Sequence, residues 1–466
     1  AVSRGLKTLL IQGGKVGGTA SCVPSDIVGA GLNQLENLQL SELMVNRDEL
    51  ARLHAKAPHL THPITAYALP HPDVRSDRKA QIGLKLYRRL SHGQPYDGVD
   101  ASFRQCFPVE AFYPTAAIEY RVNYARIAIA LLQQFTQKGG QLLLANVDGA
   151  QRGQERWRLN AQASDGNARY TVAAKTLINC TGCHSSVVLK DVLGVRARSM
   201  AGSLHSAQLY FRLPQEWRHA VIFQRRNKSL VYAHGFGDQH VCLGPVLAND
   251  ESDKAKAQAI DEVLALWNHY AQIPLTREHL AHACWSAHPI VDDPSSDKLD
   301  ATNTTLLDLH NPGDGAPLLT LFGNNLVQYR RIATQALDIL QPFTHKKRNA
   351  DYAGEALPGG EFAGESMEAV LAQWREHYPF LDANVLLRLL NTYGTNTLHI
   401  LGNAHSETEL GRAFGAGLYA CEVDYVWEHE WARTAEDILW RRTTLGLVFT
   451  PEQESELTQY LKSKMA

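Results

Sequence analysis

The first periodic signal is a short apolar run, residues 6–11, that ends at Gln12. A Gly/Ser-rich stretch follows over 13–31, and from Asn33 to Pro58 apolar residues recur at three- and four-residue spacing. This predicts a buried strand, a loop and one long amphipathic helix. Short strands are predicted at 64–69, 116–120, 141–145, 157–163, 170–174 and 176–180. Helices are predicted at 82–90, with a basic face of Lys85, Arg88 and Arg89, and at 126–137. Residues 206–246 alternate in four short segments with turns at Asn227-Lys228 and Gly237-Asp238, which predicts an antiparallel sheet. A helix over 254–270, strands at 282–290, 304–309 and 318–322, and a helix over 327–340 complete this part. After a linker at 345–356 the periodicity is helical throughout, around 367–374, 385–390, 413–427 and 435–440.

Composition narrows the class. A chain of 466 residues holds two or three domains, and a net charge of -2 gives no electrostatic case for nucleic acid. No apolar run reaches the length of a membrane span, and no signal peptide is visible. Seven scattered cysteines fit free thiols in a reducing compartment. The expected location is cytoplasmic, with peripheral contact on the inner membrane face as the sharper reading of the basic helix.

Certain residues carry a resemblance. They are Ala57-Pro58-His59-Leu60, Leu69-Pro70-His71, Leu357-Pro358-Gly359-Gly360, Tyr378-Pro379-Phe380-Leu381, Thr392-Tyr393-Gly394, and the run from His429-Glu430-Trp431-Ala432-Arg433-Thr434 through Ala435-Glu436-Asp437 to Trp440-Arg441-Arg442-Thr443. With these the chain resembles the FAD-dependent, quinone-linked glycerol-3-phosphate dehydrogenases, almost end to end. The resemblance implies an α/β plus α fold: a glutathione-reductase-like FAD-binding domain (1–72, 115–200 and 300–345), an antiparallel β-sheet substrate cap (73–114 and 201–299) and an all-helical C-terminal domain (355–466). It implies oxidation of glycerol 3-phosphate to dihydroxyacetone phosphate, with electrons passing through FAD to quinone. A homodimer, or pairing with an active paralogue, is the expected assembly.

For the cofactor, the resemblance points to Gln12 at the ribose, Gly31 and Leu32 in the first loop, Thr181 and Gly182 after the strand that ends at Cys180, and Gly323, Leu326 and Tyr329 in the turn under the flavin. A first strand, its Gly-x-Gly-x-x-Gly turn and the helix that receives the pyrophosphate do not precede Gln12, so the natural start is expected about 20–30 residues upstream, the length of a strand-turn-helix unit. Gly13-Gly14 and Gly17-Gly18 are read as a flexible turn, not a phosphate loop, because they follow the second strand.

For the substrate, the family's cationic positions fall on Asn33, His288 and Asn325, while Arg330 keeps its identity and is expected to bind substrate with His288. A base must take the hydroxyl proton. The family's histidine in the first loop falls on Gly29, so His288 and His234 are the candidates. Cys180-Thr181-Gly182-Cys183-His184 spells a c-type haem attachment pattern, but its first cysteine ends an apolar strand and no second Cys/His pair at zinc spacing accompanies it. Two readings stay open: a glycerol-3-phosphate dehydrogenase, or a catalytically inactive family scaffold that acts as a binding or regulatory subunit. A changed substrate, an uncharged or zwitterionic alcohol or amine, and a truncated gene product are further possibilities.

Overall fold

The structure is a computed structural model. It describes residues 1–18, 26–29, 31, 39–69, 77–90, 101–107, 113–196, 199–217, 219–226, 229–237, 239–248, 250–292, 305–310, 313, 315–323, 325–344 and 354–465. The expected turn residues Asn227, Lys228 and Asp238, the linker over 345–353, and Leu32 and Asn33 lie outside the described residues.

Two small sheets carry the parallel part of the fold. In the first, β1 (Leu9–Gln12) pairs in parallel with β5 (Gln141–Arg152), and β6 (Trp157–Ala163) and β7 (Arg169–Ala174) extend it as an antiparallel meander. In the second, β8 (Leu177–Asn179) pairs in parallel with β15 (Leu318–Gly323), which pairs with β14 (Thr305–His310). β1 and β8 are each the end strand of their sheet among the described residues, and Leu9 and Ile178 are exposed there. The run 6–11 therefore forms a strand only from Leu9 and is not the buried strand its apolarity predicts. Nothing described covers its outer edge.

The third sheet has eight strands in the order β13-β9-β12-β11-β10-β3-β4-β2. Its members are β2 (Asp26–Val28), β3 (Thr61–Leu69), β4 (Tyr113–Val122), β9 (Met200–Arg212), β10 (Ala220–Gln224), β11 (Leu230–Phe236), β12 (His240–Ala248) and β13 (Leu280–Asp292). The sequence reading misses β2, which lies inside the expected loop 13–31 and pairs with β4. The expected domain limits also do not follow the sheets, since β2, β3 and most of β4 come from the segments assigned to the FAD-binding domain.

Alternation gives this sheet two unlike faces. The outer face carries Tyr67, Leu209, Phe211, Val221, Phe223 and Val241, which pack with Trp217, Phe107 and the helix Asp253–Tyr270 through Val263 and Trp267. That helix starts at a sequence-legible cap, where Ser252 Oγ accepts from the Ala255 N–H at 3.2 Å. The inner face carries small apolar residues (Ala66, Ala68, Ala220, Ile222) and, among them, Glu119, Arg121, His62, Tyr232 and His234.

The C-terminal domain is helical as expected, with helices Met367–His377, Ala383–Tyr393, Ala420–His429 and Pro451–Met465. One correction falls at 413–427. There a hairpin of Ala413–Gly415 and Leu418–Tyr419 precedes the helix, with Gly415 and Gly417 at φ of 112° and 71°.

This domain is joined to the rest by a buried ion pair. Arg126, on the helix Tyr124–Gln137, donates to both carboxylate oxygens of Glu430 and to the Thr392 carbonyl at 3.0 Å, and its guanidinium lies 4.7 Å from the centre of the Tyr393 ring. Glu430 is fully buried and Arg126 is 4% exposed. Arg442, 1% exposed, donates to the Glu430 carbonyl and, at 2.9 Å, to the Val16 carbonyl. Replacing Glu430 by Ala leaves Arg126 buried without its counter-charge and costs about 3–5 kcal/mol. Urea denaturation should show that loss for Glu430→Ala and a smaller one for the double variant Arg126→Met/Glu430→Leu. Equal losses would mean that the charges are not what fixes the joint.

Candidate active site

One cluster forms at the ends of β8, β13 and β15. After β8, Asn179 closes the turn: its amide donates to the Ser185 carbonyl at 3.0 Å and its Oδ1 accepts from the Thr181 hydroxyl at 2.7 Å. Gly182 follows at φ 62°, a left-handed conformation that favours glycine. A Cβ at Gly182 would lie 3.7 Å from the Pro289 ring, and Cys183 Sγ donates to the Ala287 carbonyl at 3.6 Å. The structure thus sets β13 at Ala287 and Pro289 against the Thr181-Gly182 turn, while the His288 ring, one residue between them, turns to the other face of the strand toward Ser206 and Ser286. Ser185 Oγ donates to the Leu321 carbonyl at 3.1 Å, which ties the same turn to β15, and β15 ends at Gly323 with φ 76°.

His288 is held firmly. Its Nε2 lies 2.8 Å from Ser206 Oγ and 3.0 Å from Ser286 Oγ, two hydroxyls on adjacent strands. Burial, with a smaller contribution from His205, pushes its pKa below the ordinary histidine value, so the ring is neutral at pH 7. Cys180 and Cys183 both have thiol pKa values raised by burial, which argues against a reactive pair.

His234 does not join this cluster. It sits on β11, three strand spacings or about 14 Å from β13. Burial and the Arg121 charge lower its pKa to about 4. It begins a cross-strand row through Cys242 and Tyr210 to His282, whose ring stacks on Trp440 of the C-terminal domain with centroids 3.6 Å apart.

Arg330 makes a bidentate pair with Glu49 of the helix Leu40–Lys56, at 3.0 and 2.6 Å, and ties its own helix to that one. Tyr329 packs against the core of Leu53, Ile127 and Leu357 near the same carboxylate. Asn325 accepts from the Gln328 N–H at 3.2 Å and shapes the turn that carries Leu326. Gln12 donates to the Gly13 carbonyl at 3.0 Å. Gly31, the one described residue of the Gly31-Leu32 pair, has φ 117°. The Gly13–Gly18 stretch is an ordered turn pinned to the C-terminal domain by the Lys15–Glu436 ion pair and the Arg442 bond to Val16.

Sequence reasoning missed the inner-face acids. Asp26 accepts from the Ile27 N–H at 2.8 Å and from Gln208 at 2.9 Å; Glu119 accepts from the Tyr87 hydroxyl at 2.8 Å. Burial pushes both carboxyls up to about 7. Glu119 Oε2 has no hydrogen-bond partner among the described residues, and a Cβ added to Gly29 would land on it. Glu119 thus fills space that a side chain at 29 would need. The signal was available: Glu119 and Arg121 place two charges on one face of an otherwise mostly apolar strand.

With this geometry the comparisons can be read. Residues 1–307 match the FAD dependent oxidoreductase family, and 353–462 match the C-terminal domain of alpha-glycerophosphate oxidase. The chain is 31% identical to glycerol-3-phosphate dehydrogenase of Pseudomonas aeruginosa, covering 100% of this chain and 92% of that protein. It is 28% identical to aerobic glycerol-3-phosphate dehydrogenase of Escherichia coli (99% and 93%), and 27% identical to D-erythritol 1-phosphate dehydrogenase of Brucella abortus (99% and 94%). The fold matches that of glycerol-3-phosphate dehydrogenase from Bacillus halodurans complexed with FAD, with a TM-score of 0.70 at 16% identity, over 100% of this chain and 90% of that one. The chain belongs to the FAD-dependent oxidoreductases, in the glycerol-3-phosphate dehydrogenase family, and its cofactor is FAD.

The described residues fit part of that cofactor. The Gln12 amide at the end of β1 suits a ribose hydroxyl, and the left-handed glycines Gly31, Gly182 and Gly323 leave backbone open to a flat ring. No Gly-rich helix N-terminus for a pyrophosphate occurs among the described residues.

The acids give a test with a definite sign. The folded Glu119 pKa of about 7 exceeds its ordinary value of 4.5, so its contribution to stability is full below about pH 4.5 and lost as pH rises through 7. Glu119→Gln should therefore stabilise the protein at pH 8 relative to pH 4, by up to about 3 kcal/mol. A pH-independent effect in thermal melts would contradict the burial argument. Separately, Gly29→Ala should destabilise, and Glu119→Ala should relieve most of that cost in the double variant.

Proposed function

We propose that this protein oxidises the alcohol of a small polyol phosphate, glycerol 3-phosphate first among them. The observation that carries the reading is His288: a neutral imidazole, fixed by Ser206 and Ser286, on the strand that runs past the Gly182 turn. Those are the requirements for a base that takes the hydroxyl proton. Bound FAD supplies the hydride acceptor. The serine hydroxyls orient the ring, and Gly182 and Gly323 leave room for the cofactor. The Pseudomonas, Escherichia and Brucella relatives are all named as dehydrogenases of a polyol phosphate, which supports that substrate class.

A non-catalytic scaffold is the second reading. What favours it is that Arg330 is spent on Glu49 and Asn325 on its own turn, so neither offers a cation to a phosphate.

Anaerobic addition of glycerol 3-phosphate should bleach the flavin absorbance of the purified protein. His288→Ala should keep the flavin and slow bleaching by about 10²–10⁴. A flavin that neither glycerol 3-phosphate, D-erythritol 1-phosphate nor glycerol reduces would leave the scaffold reading.

For the acceptor we propose membrane quinone, reached by peripheral contact through the helix Asp77–Leu90. Ile82 and Leu86, four residues apart on that helix, are 67% and 43% exposed, with Lys85 and Arg89 exposed beside them. An apolar ridge with basic flanks suits an anionic bilayer. No described helix is long and apolar enough to cross one. Ile82→Glu should reduce co-sedimentation with anionic vesicles; unchanged sedimentation would place the contact elsewhere.

A further inference from the structure

We propose that a cleft at the step between β3 and β10 of the eight-stranded sheet, with Arg121 as its cation, binds a phosphate monoester. The proposal rests on the preceding reading only for the identity of the ester.

The cleft has a structural origin. β3 begins at Thr61, but β10 pairs with it only from Ala66 onward, so the edge of β3 runs past the end of its neighbour. The step opens a cleft of about 290 Å³ lined by Ile64, Thr65, Tyr67, Arg121, His219 and His234. Arg121 stands on β4, directly across from His62 on β3, and its side chain reaches over β3 to the opening.

Arg121 makes no ion pair and no hydrogen bond to any described residue. Three other cations held inside the fold are engaged, Arg126 with Glu430, Arg388 with Glu422 and Arg442 with backbone carbonyls, whereas the side chain of half-buried Arg121 has no such partner among the described residues. A guanidinium drawn out of water without an acceptor carries an electrostatic cost that an anionic ligand removes. The nearest acid along its own strand face, Glu119, stands two residues away, about 6.7 Å of strand rise, and is hydrogen-bonded by Tyr87. His62 and His234, which face Arg121, are held neutral by burial and by Arg121 itself, so among the described residues the cleft has one positive charge and no counter-charge.

The lining suits a tetrahedral anion. The guanidinium fork matches two oxygens of a phosphate, and the Thr65 hydroxyl and the His219 ring stand at the same opening. Ile64 and the methylene and ring surfaces around it give the ester's carbon chain an apolar wall.

Isothermal titration of the purified flavoprotein with glycerol 3-phosphate and with inorganic phosphate tests this. Wild type should bind both; Arg121→Gln should weaken binding by about ten- to a hundred-fold, and Arg121→Lys should recover part of it. Arg169→Gln, at an exposed arginine on β7, should change nothing. Failure of wild type to bind either ligand, or an unchanged affinity in Arg121→Gln, overturns the proposal. Binding lost in Arg121→Gln while wild-type flavin stays unreduced upholds the cleft and rejects the dehydrogenase reading. Reduction by glycerol 3-phosphate with an unaltered KM in Arg121→Gln does the reverse. Binding of inorganic phosphate without glycerol 3-phosphate would make the cleft an anion site unconnected with substrate and overturn the ester assignment. Circular dichroism and Arg121→Lys separate a lost charge from a lost fold.

Discussion

The buried Arg126–Glu430 pair is the constraint on which the rest of the structure depends. Two charges taken out of water are tolerable only in good geometry and with their remaining groups satisfied. Here the guanidinium donates to both carboxylate oxygens and to Thr392 and faces the Tyr393 ring. Those partners are two residues of the helix Ala383–Tyr393 and Glu430, which caps the end of the helix Ala420–His429, so the pair fixes the C-terminal domain against the helix Tyr124–Gln137. Arg442 extends the joint to Val16 and holds the glycine-rich turn after β1. Asp437 then caps its own helix by accepting from the Arg433 and Thr434 N–H groups, both at 3.0 Å, and pairs with Arg441 at 2.8 Å. The run from His429 to Thr443, the most specific motif in the sequence, is therefore spent largely on architecture.

That rigid joint leaves the eight-stranded sheet free to divide its labour. Its outer face is an aromatic core built on Phe223, Trp217 and Trp267. Its inner face mixes small apolar residues with a few ionisable groups, each shifted toward its neutral form by burial, Arg121 included. A low-dielectric face of this kind makes single charges count. One edge strand presents neutral His288, and the opposite end of the sheet, on β4 and β2, presents Arg121 and the two protonatable acids. His282 stacked on Trp440 brings the C-terminal domain onto the same face.

Local signals in the sequence were legible where chemistry is local. Helix 254–270 could be read from its periodicity and its serine cap, and the meander over 206–246 from alternation and turns. What could not be read depended on distant partners. The three-residue strand β2 is too short to show a period, and it exists because β4 pairs with it. Arg330 looked available until the fold brought Glu49 to it across the chain. The apolar run at Leu9 promised burial, yet burial depends on what lies beside a strand. Glu119 was visible as a charge in an apolar strand, but only the close approach of Gly29 gives it meaning. Of the two histidines chosen on the sequence, only His288 stands on the strand that runs past the Gly182 turn.

The most direct test of this account is the amount of FAD released by acid from the purified, washed protein, measured against protein concentration. The account predicts one FAD per chain, held by a site to which Gln12, Gly182 and Gly323 contribute. Protein that is folded, by a cooperative thermal transition, and yet releases no flavin would contradict it.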